Sequence, residues 1–179
     1  ARTAGFCLPV VYNTGGYEYS EALRLLDGLV DIYLPDFKYM DPALAARYSQ
    51  APDYPDRAKE ALAEMVRQTG EAVFDDAGMM KRGVIVRHLA LPGQLSDSMS
   101  VLAYLHETYG EQIFLSIMNQ YTPMPGIEKT FPELGRKLSA DEYDTLVDYA
   151  VLLGVENGFI QEGDTAEESF IPPFDLEGV

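Results

Sequence analysis

Val30–Asp41 reads VDIYLPDFKYMD. The stretch Val30-Asp31-Ile32-Tyr33-Leu34 is largely apolar and runs into Pro35, which predicts a buried strand. Beyond it, Asp36 and Lys38 stand two residues apart, with Phe37 between them. At the two-residue period of extended backbone, the acid and the amine share one face and Phe37 takes the other. In parallel α/β proteins the carboxyl ends of the strands are where ligands and reacting groups gather. This stretch therefore predicts both a parallel sheet and one corner of a site.

Working outward, the chain alternates strand and helix patterns. Cys7–Tyr12 reads as the first strand, and Asn13-Thr14-Gly15-Gly16 as a turn. A helix is predicted from Glu18 to Asp27, ahead of the strand Val30–Leu34. Asp41-Pro42 has the signature of an N-cap with proline at the first helical position, giving a short helix to Ser49. A further helix follows over 56–69, then a small hairpin turning at Asp75-Asp76-Ala77-Gly78. Val84–Leu89 is the third main strand. Ser96 is the expected cap of a helix with the stripe Met99, Leu102, Leu105 and Tyr109. Ile113–Met118 is the fourth strand, and residues 119–138 form a long loop of the kind that often carries function. Ser139-Ala140-Asp141-Glu142 is a capping box opening the last helix, and Gly158-Phe159-Ile160 is a short fifth strand. The fold class expected is α/β with right-handed crossovers, either an arc of a (β/α) barrel or a small open sheet.

The chain has 179 residues, 47% of them hydrophobic, enough for one sizeable core. A net charge of −16 argues against a general nucleic-acid binder. The sequence has no apolar run long enough to cross a membrane. One cysteine, Cys7, cannot form an internal disulfide and points to a reducing, cytoplasmic setting; it is expected in the core. The strand pattern starts almost at Ala1 and there is no initiator methionine, so the expectation is the C-terminal part of a longer protein.

Each strand ends in polar groups: Asn13 and Thr14, then Asp36 and Lys38, then Arg87 and His88, then Asn119, Gln120 and Tyr121. Arg87 and His88 must face opposite ways; the arginine needs an anionic partner, and the histidine is expected to be a satisfied structural one. Two chemistries suit the Asp36–Lys38 pair. Lys38 and Arg87 can anchor an anionic substrate group, or a desolvated Lys38 can form a Schiff base. A non-catalytic binding domain is the third reading. No His/Cys/Asp cluster has metal-ligand spacing, and no glycine-rich phosphate loop is present.

Taken together, LPVVYNTGGY, VDIYLPDFKYMD, VIVRHLALPG, NQYTPMP and ENGFIQEGDTAEESFIPPFD resemble the C-terminal part of radical SAM proteins related to pyruvate formate-lyase activating enzyme. The resemblance implies a partial (β/α)6 barrel of which residues 1–160 are about the last four strands, with 161–179 an extended acidic tail. It implies S-adenosylmethionine and a 4Fe–4S cluster as cofactors in the whole protein. The CxxxCxxC cluster loop of that family does not occur in this chain. Among cofactor contacts, the resemblance assigns Asn13 and Thr14 to the strand end near the S-adenosylmethionine carboxylate. Asn13 stands where the family has Asp. Asp36 and Lys38 match its Asp-x-Lys element. Arg87 and Leu89 border the adenosyl group, and Gln120 or Tyr121 falls where the family places a His. The reaction implied is cleavage to a 5′-deoxyadenosyl radical, with a glycyl radical enzyme or another protein substrate as partner. The isolated chain is expected to hold no cluster, to be inactive, and to oligomerise through an open sheet edge.

Overall fold

The computed structural model describes residues 5–160, with the side chain of residue 160 left out; the acidic tail expected over 161–179 lies outside them. Among the described residues there are six strands and five α-helices, largely in alternation. Strands β1 (Val11–Thr14), β2 (Ile32–Pro35), β4 (Met80–Leu89), β5 (Phe114–Met118) and β6 (Gly158–Ile160) lie side by side in that order, all parallel. The two-residue strand β3 (Val73–Phe74) pairs antiparallel with the start of β4, closing the expected hairpin. The helices are α1 (Ser20–Arg24), α2 (Pro42–Ser49), α3 (Tyr54–Thr69), α4 (Leu95–Tyr109) and α5 (Ala140–Leu153). Strand order follows chain order without reversal, so the sheet is consistent with a partial α/β barrel.

Burial along β4 shows how the layers are arranged. Val84, Val86 and His88 are buried, whereas Ile85, Arg87 and Leu89 are only half-buried. In β5, Leu115 and Ile117 are buried and Phe114, Ser116 and Met118 are not. One face is thus packed under helices. Its core joins Tyr33, Phe37, Leu62, Met65, Val84, Val86, Leu102, Leu105, Ile117 and Leu146. The other face is left partly open, with Val11 and Phe159 each about half exposed. Parallel sheets are normally covered on both faces.

The helices follow the local signals, with instructive departures. The Asp41 carboxylate accepts from the Ala43 N–H at 2.7 Å, and Pro42 begins α2. Buried Ala58, Ala61, Leu62 and Met65 give α3 its inner stripe. Helix α4 starts at Leu95, not after a Ser96 cap. The acid one residue further on, Asp97, has both oxygens committed to the Met40 and Asp41 amides. The buried stripe of α4 is Ser98, Val101, Leu102 and Leu105, with Met99 and Tyr109 only flanking the core. Helix α1 is five residues long and gives way to turns, with Leu25 exposed.

The first strand is displaced. It runs over Val11–Thr14, not Cys7–Tyr12. Pro9 cannot donate to a ladder, and the first sheet bonds form around Val10, whose N–H donates to the Asp31 carboxylate at 2.7 Å. Cys7 therefore precedes the sheet and is exposed, contrary to its expected place in the core.

Helix α5 has the expected capping box: Ser139 Oγ accepts from the Glu142 N–H, and Glu142 Oε2 accepts from the Ser139 N–H at 3.0 Å. Glu142 also accepts from Arg136 at 2.6 and 2.8 Å and from the Gly93 N–H at 2.8 Å. Arg136 first, then these amides, hold its carboxyl well below the usual range despite partial burial. The stabilisation is present above the unfolded-state value and is lost as pH falls through the lowered one. Glu142→Gln is expected to cost about 1–2 kcal/mol at pH 7. The gap from the parent should narrow below about pH 4. Urea unfolding at pH 7 and pH 3.5 measures both; a gap that widens in acid contradicts the assignment.

Candidate functional site

The site grows from the C-terminal edge of β1, β2 and β4. In the parallel register, Asn13 lies beside Leu34, and Asp36 forms an isolated bridge with Arg87 just past the end of β2. Residues so paired share a face, and this is the open one. Asn13, Asp36 and Arg87 therefore converge there, and Lys38 joins them from the strand extension. Arg87 Nη2 donates to Asn13 Oδ1 at 2.6 Å. The same nitrogen lies 2.6 Å from Asp36 Oδ1 in an ion contact. Lys38 Nζ is 3.5 Å from Asp36 Oδ2. The anionic partner that Arg87 required is thus Asp36, with an amide beside it. Arg87 Nε is buried and has no hydrogen-bond partner among the described residues, so the guanidinium keeps an unused donor.

The backbone under this cluster is tied from several sides. The Asp36 N–H donates to the Thr14 carbonyl at 2.9 Å, and the Phe37 N–H to the Arg87 carbonyl at 2.8 Å. Tyr54, 3% exposed at the start of α3, places its hydroxyl 2.9 Å from the Gly15 carbonyl and 3.1 Å from that of Asp36. The same hydroxyl accepts from the Lys38 N–H at 3.0 Å. Burial pushes the Tyr54 phenol strongly up, so it stays a neutral donor. His88 points the other way from Arg87, as alternation requires, and its Nδ1 lies 2.8 Å from the Phe37 carbonyl.

Of the remaining expected contacts, Leu89 shares the open face with Arg87, and Thr14 takes the other. Thr14 faces the helices, is buried, and donates its hydroxyl to Glu18 Oε1. Burial, reinforced by Asp36, pushes the Glu18 carboxyl up, and its Oε2 has no hydrogen-bond partner among the described residues. Leu89 is on the open face of β4, in register with Met118. Gln120 Nε2 lies 3.6 Å from Met118 Sδ. Tyr121 gives its hydroxyl to the Leu134 carbonyl at 2.9 Å, bracing the long loop. Residues 119–138 are braced further by Glu133, which accepts from Tyr48 at 2.6 Å and pairs with Arg47 at 2.6 Å.

Sequence reasoning missed Tyr54 and Glu18 as parts of this region. Tyr54 stands just ahead of the helix expected over 56–69, and a tyrosine followed by proline carries no signal of a partner 16 residues upstream. Glu18 enters the sequence reading only as the start of the first helix, which begins instead at Ser20.

The arrangement suits a small ligand with an anionic end. It offers two cations, one acid between them and a side-chain amide. A metal is a different matter: among the described residues no group of three His, Cys, Asp or Glu could hold one. Nor is any described helix long and apolar enough to cross a membrane.

No family model matches the chain. Among curated proteins, the uncharacterized protein MJ0674 of Methanocaldococcus jannaschii is 27% identical over 143 residues. That match covers 80% of this chain and 38% of the relative, so the chain spans well under half the length of the protein it resembles.

Proposed function

We propose that the chain is the C-terminal part of a radical SAM enzyme and that Asn13, Asp36, Lys38 and Arg87 hold the amino-acid end of S-adenosylmethionine. The observation that carries the reading is their convergence on the open face at the carboxyl ends of parallel strands. The family-like motifs and the greater length of the archaeal relative support it. The donor set fits an anionic carboxylate: Lys38 is half exposed, and the partly exposed Arg87 guanidinium stands on the other side of Asp36. Asp36 orients both cations and can accept from an ammonium group. In the family, S-adenosylmethionine bound to a reduced 4Fe–4S cluster supplies a 5′-deoxyadenosyl radical. The residues here do not fit the cluster itself, since Cys7 is the chain's sole cysteine and no metal-holding group occurs among the described residues. In this reading its ligands belong to another part of the protein.

The Schiff-base alternative is weaker. The Lys38 side chain is 45% exposed and sits beside Asp36, whereas a Schiff-base lysine is activated by a dry apolar pocket or a neighbouring cation.

The test is equilibrium binding of S-adenosylmethionine to the complete encoded protein. Lys38→Ala is expected to weaken binding about tenfold, roughly 1.4 kcal/mol. Absence of binding by the parent protein, or an unchanged Lys38→Ala variant, overturns the reading.

A further inference from the structure

His88 is 2% exposed and lies on the packed face of β4, directly behind the cluster. Its Nδ1 is 2.8 Å from the carbonyl of Phe37, the residue between Asp36 and Lys38. Its Nε2 is buried with no hydrogen-bond partner among the described residues. A carbonyl can only accept, so the proton belongs on Nδ1. The opposite tautomer would set two lone pairs against each other and leave an N–H unsatisfied. The imidazolium would leave the same N–H unsatisfied and add a buried charge. Burial pushes the ring down from its ordinary value, against the opposing pulls of the Phe37 carbonyl and of Asp36.

The expected satisfied structural histidine is thus satisfied on one side only. The side that is satisfied holds the peptide between the two charged residues. Phe37 donates to β4 through its N–H and accepts from His88 through its carbonyl. With Tyr54 on the flanking groups, this fixes how far Asp36 and Lys38 project past the strand end.

We infer that His88 is a positioning residue: as the neutral Nδ1–H tautomer, it holds the Phe37 carbonyl and so sets the Asp36–Lys38 pair in place. The inference rests on the reading of this strand end as a ligand site. Its test needs no ligand, so the two can fail separately.

Nitrogen-15 NMR of the full chain should show His88 as the Nδ1–H tautomer, unchanged between pH 8 and pH 6. A protonated ring in that range, or the Nε2–H tautomer, overturns the inference. Three proteins then separate positioning from packing: the parent, His88→Asn, which keeps an N–H donor near the Nδ1 position, and His88→Leu, which keeps bulk and removes the donor. Acylation of Lys38, followed by mass spectrometry, reports whether its contact with Asp36 persists. His88→Leu is expected to label Lys38 about threefold faster than the parent, the factor appropriate to a half-exposed ion pair. His88→Asn should label at close to the parent rate, even where both variants lose similar thermal stability. Equal labelling of the Asn and Leu variants overturns the positioning role.

Discussion

Phe37→Ala is expected to destabilise the protein by about 3–5 kcal/mol, the range for truncating a fully buried phenylalanine. Phe37 is 1% exposed. Its ring packs edge-on to Tyr54, with centroids 6.5 Å apart and planes at 82°, and lies tilted against Tyr104, at 5.6 Å and 38°. Alanine would leave a cavity bounded by these rings, which are anchored by their own contacts and cannot collapse into it. Tyr54 is held by three backbone groups, and Tyr104 is also packed against Tyr109. Typical domains have only about 5–15 kcal/mol of stability in all, so the variant should be marginal. Urea unfolding of the parent, Phe37→Leu and Phe37→Ala provides the measurement. The leucine variant should lose clearly less than the alanine variant, and a loss below about 1 kcal/mol for alanine contradicts the packing described. The site should suffer as well, because the same residue carries Asp36 and Lys38 on its two sides.

That dependence explains why so much of the region was legible in the sequence. An apolar run ending in an acid, an aromatic and an amine specifies a strand, its buried face and its exposed corner at once. Arg87 and His88 were separable for the same reason: a two-residue period forces neighbours apart, and one found Asp36 while the other found the Phe37 carbonyl. The capping box at Ser139 was equally plain, since both partners lie within four residues. Local signals failed where the deciding partner is distant. The first strand shifted to Val11–Thr14 because pairing with β2, not apolar content, determines where a strand begins. The helix expected to follow a Ser96 cap starts earlier, while Asp97 serves amides 56 and 57 residues away. The Tyr121 hydroxyl braces Leu134 across the long loop. Nothing in the spacing of NQYTPMP carries that contact.

Gly16→Ala tests whether the site depends on one close backbone approach. Gly16 has φ of 77°, and a Cβ there would overlap the Asp36 carbonyl oxygen and come within 3.2 Å of the Tyr54 hydroxyl. Two penalties combine. A side chain at positive φ costs about 1 kcal/mol. Forcing the β1 and β2 ends apart adds about 1–3 kcal/mol, the usual range for overpacking. Two other glycines separate these terms. Gly28 has φ of 76° with open space around its Cβ position, so Gly28→Ala should show the backbone penalty alone. Gly15 has open space and no positive φ, so Gly15→Ala should be neutral or slightly stabilising. The expected order of loss in urea unfolding is Gly16→Ala well above Gly28→Ala, and Gly28→Ala above Gly15→Ala. The displaced atom is the carbonyl oxygen of Asp36 itself, so Gly16→Ala should also loosen the contacts of Asp36 with Arg87 and Lys38 and speed acylation of Lys38. Gly28→Ala should leave that labelling rate unchanged. Equal losses for Gly16→Ala and Gly28→Ala would mean that the strand ends have room to part, and that the acid–cation cluster is not fixed by the turn beneath it.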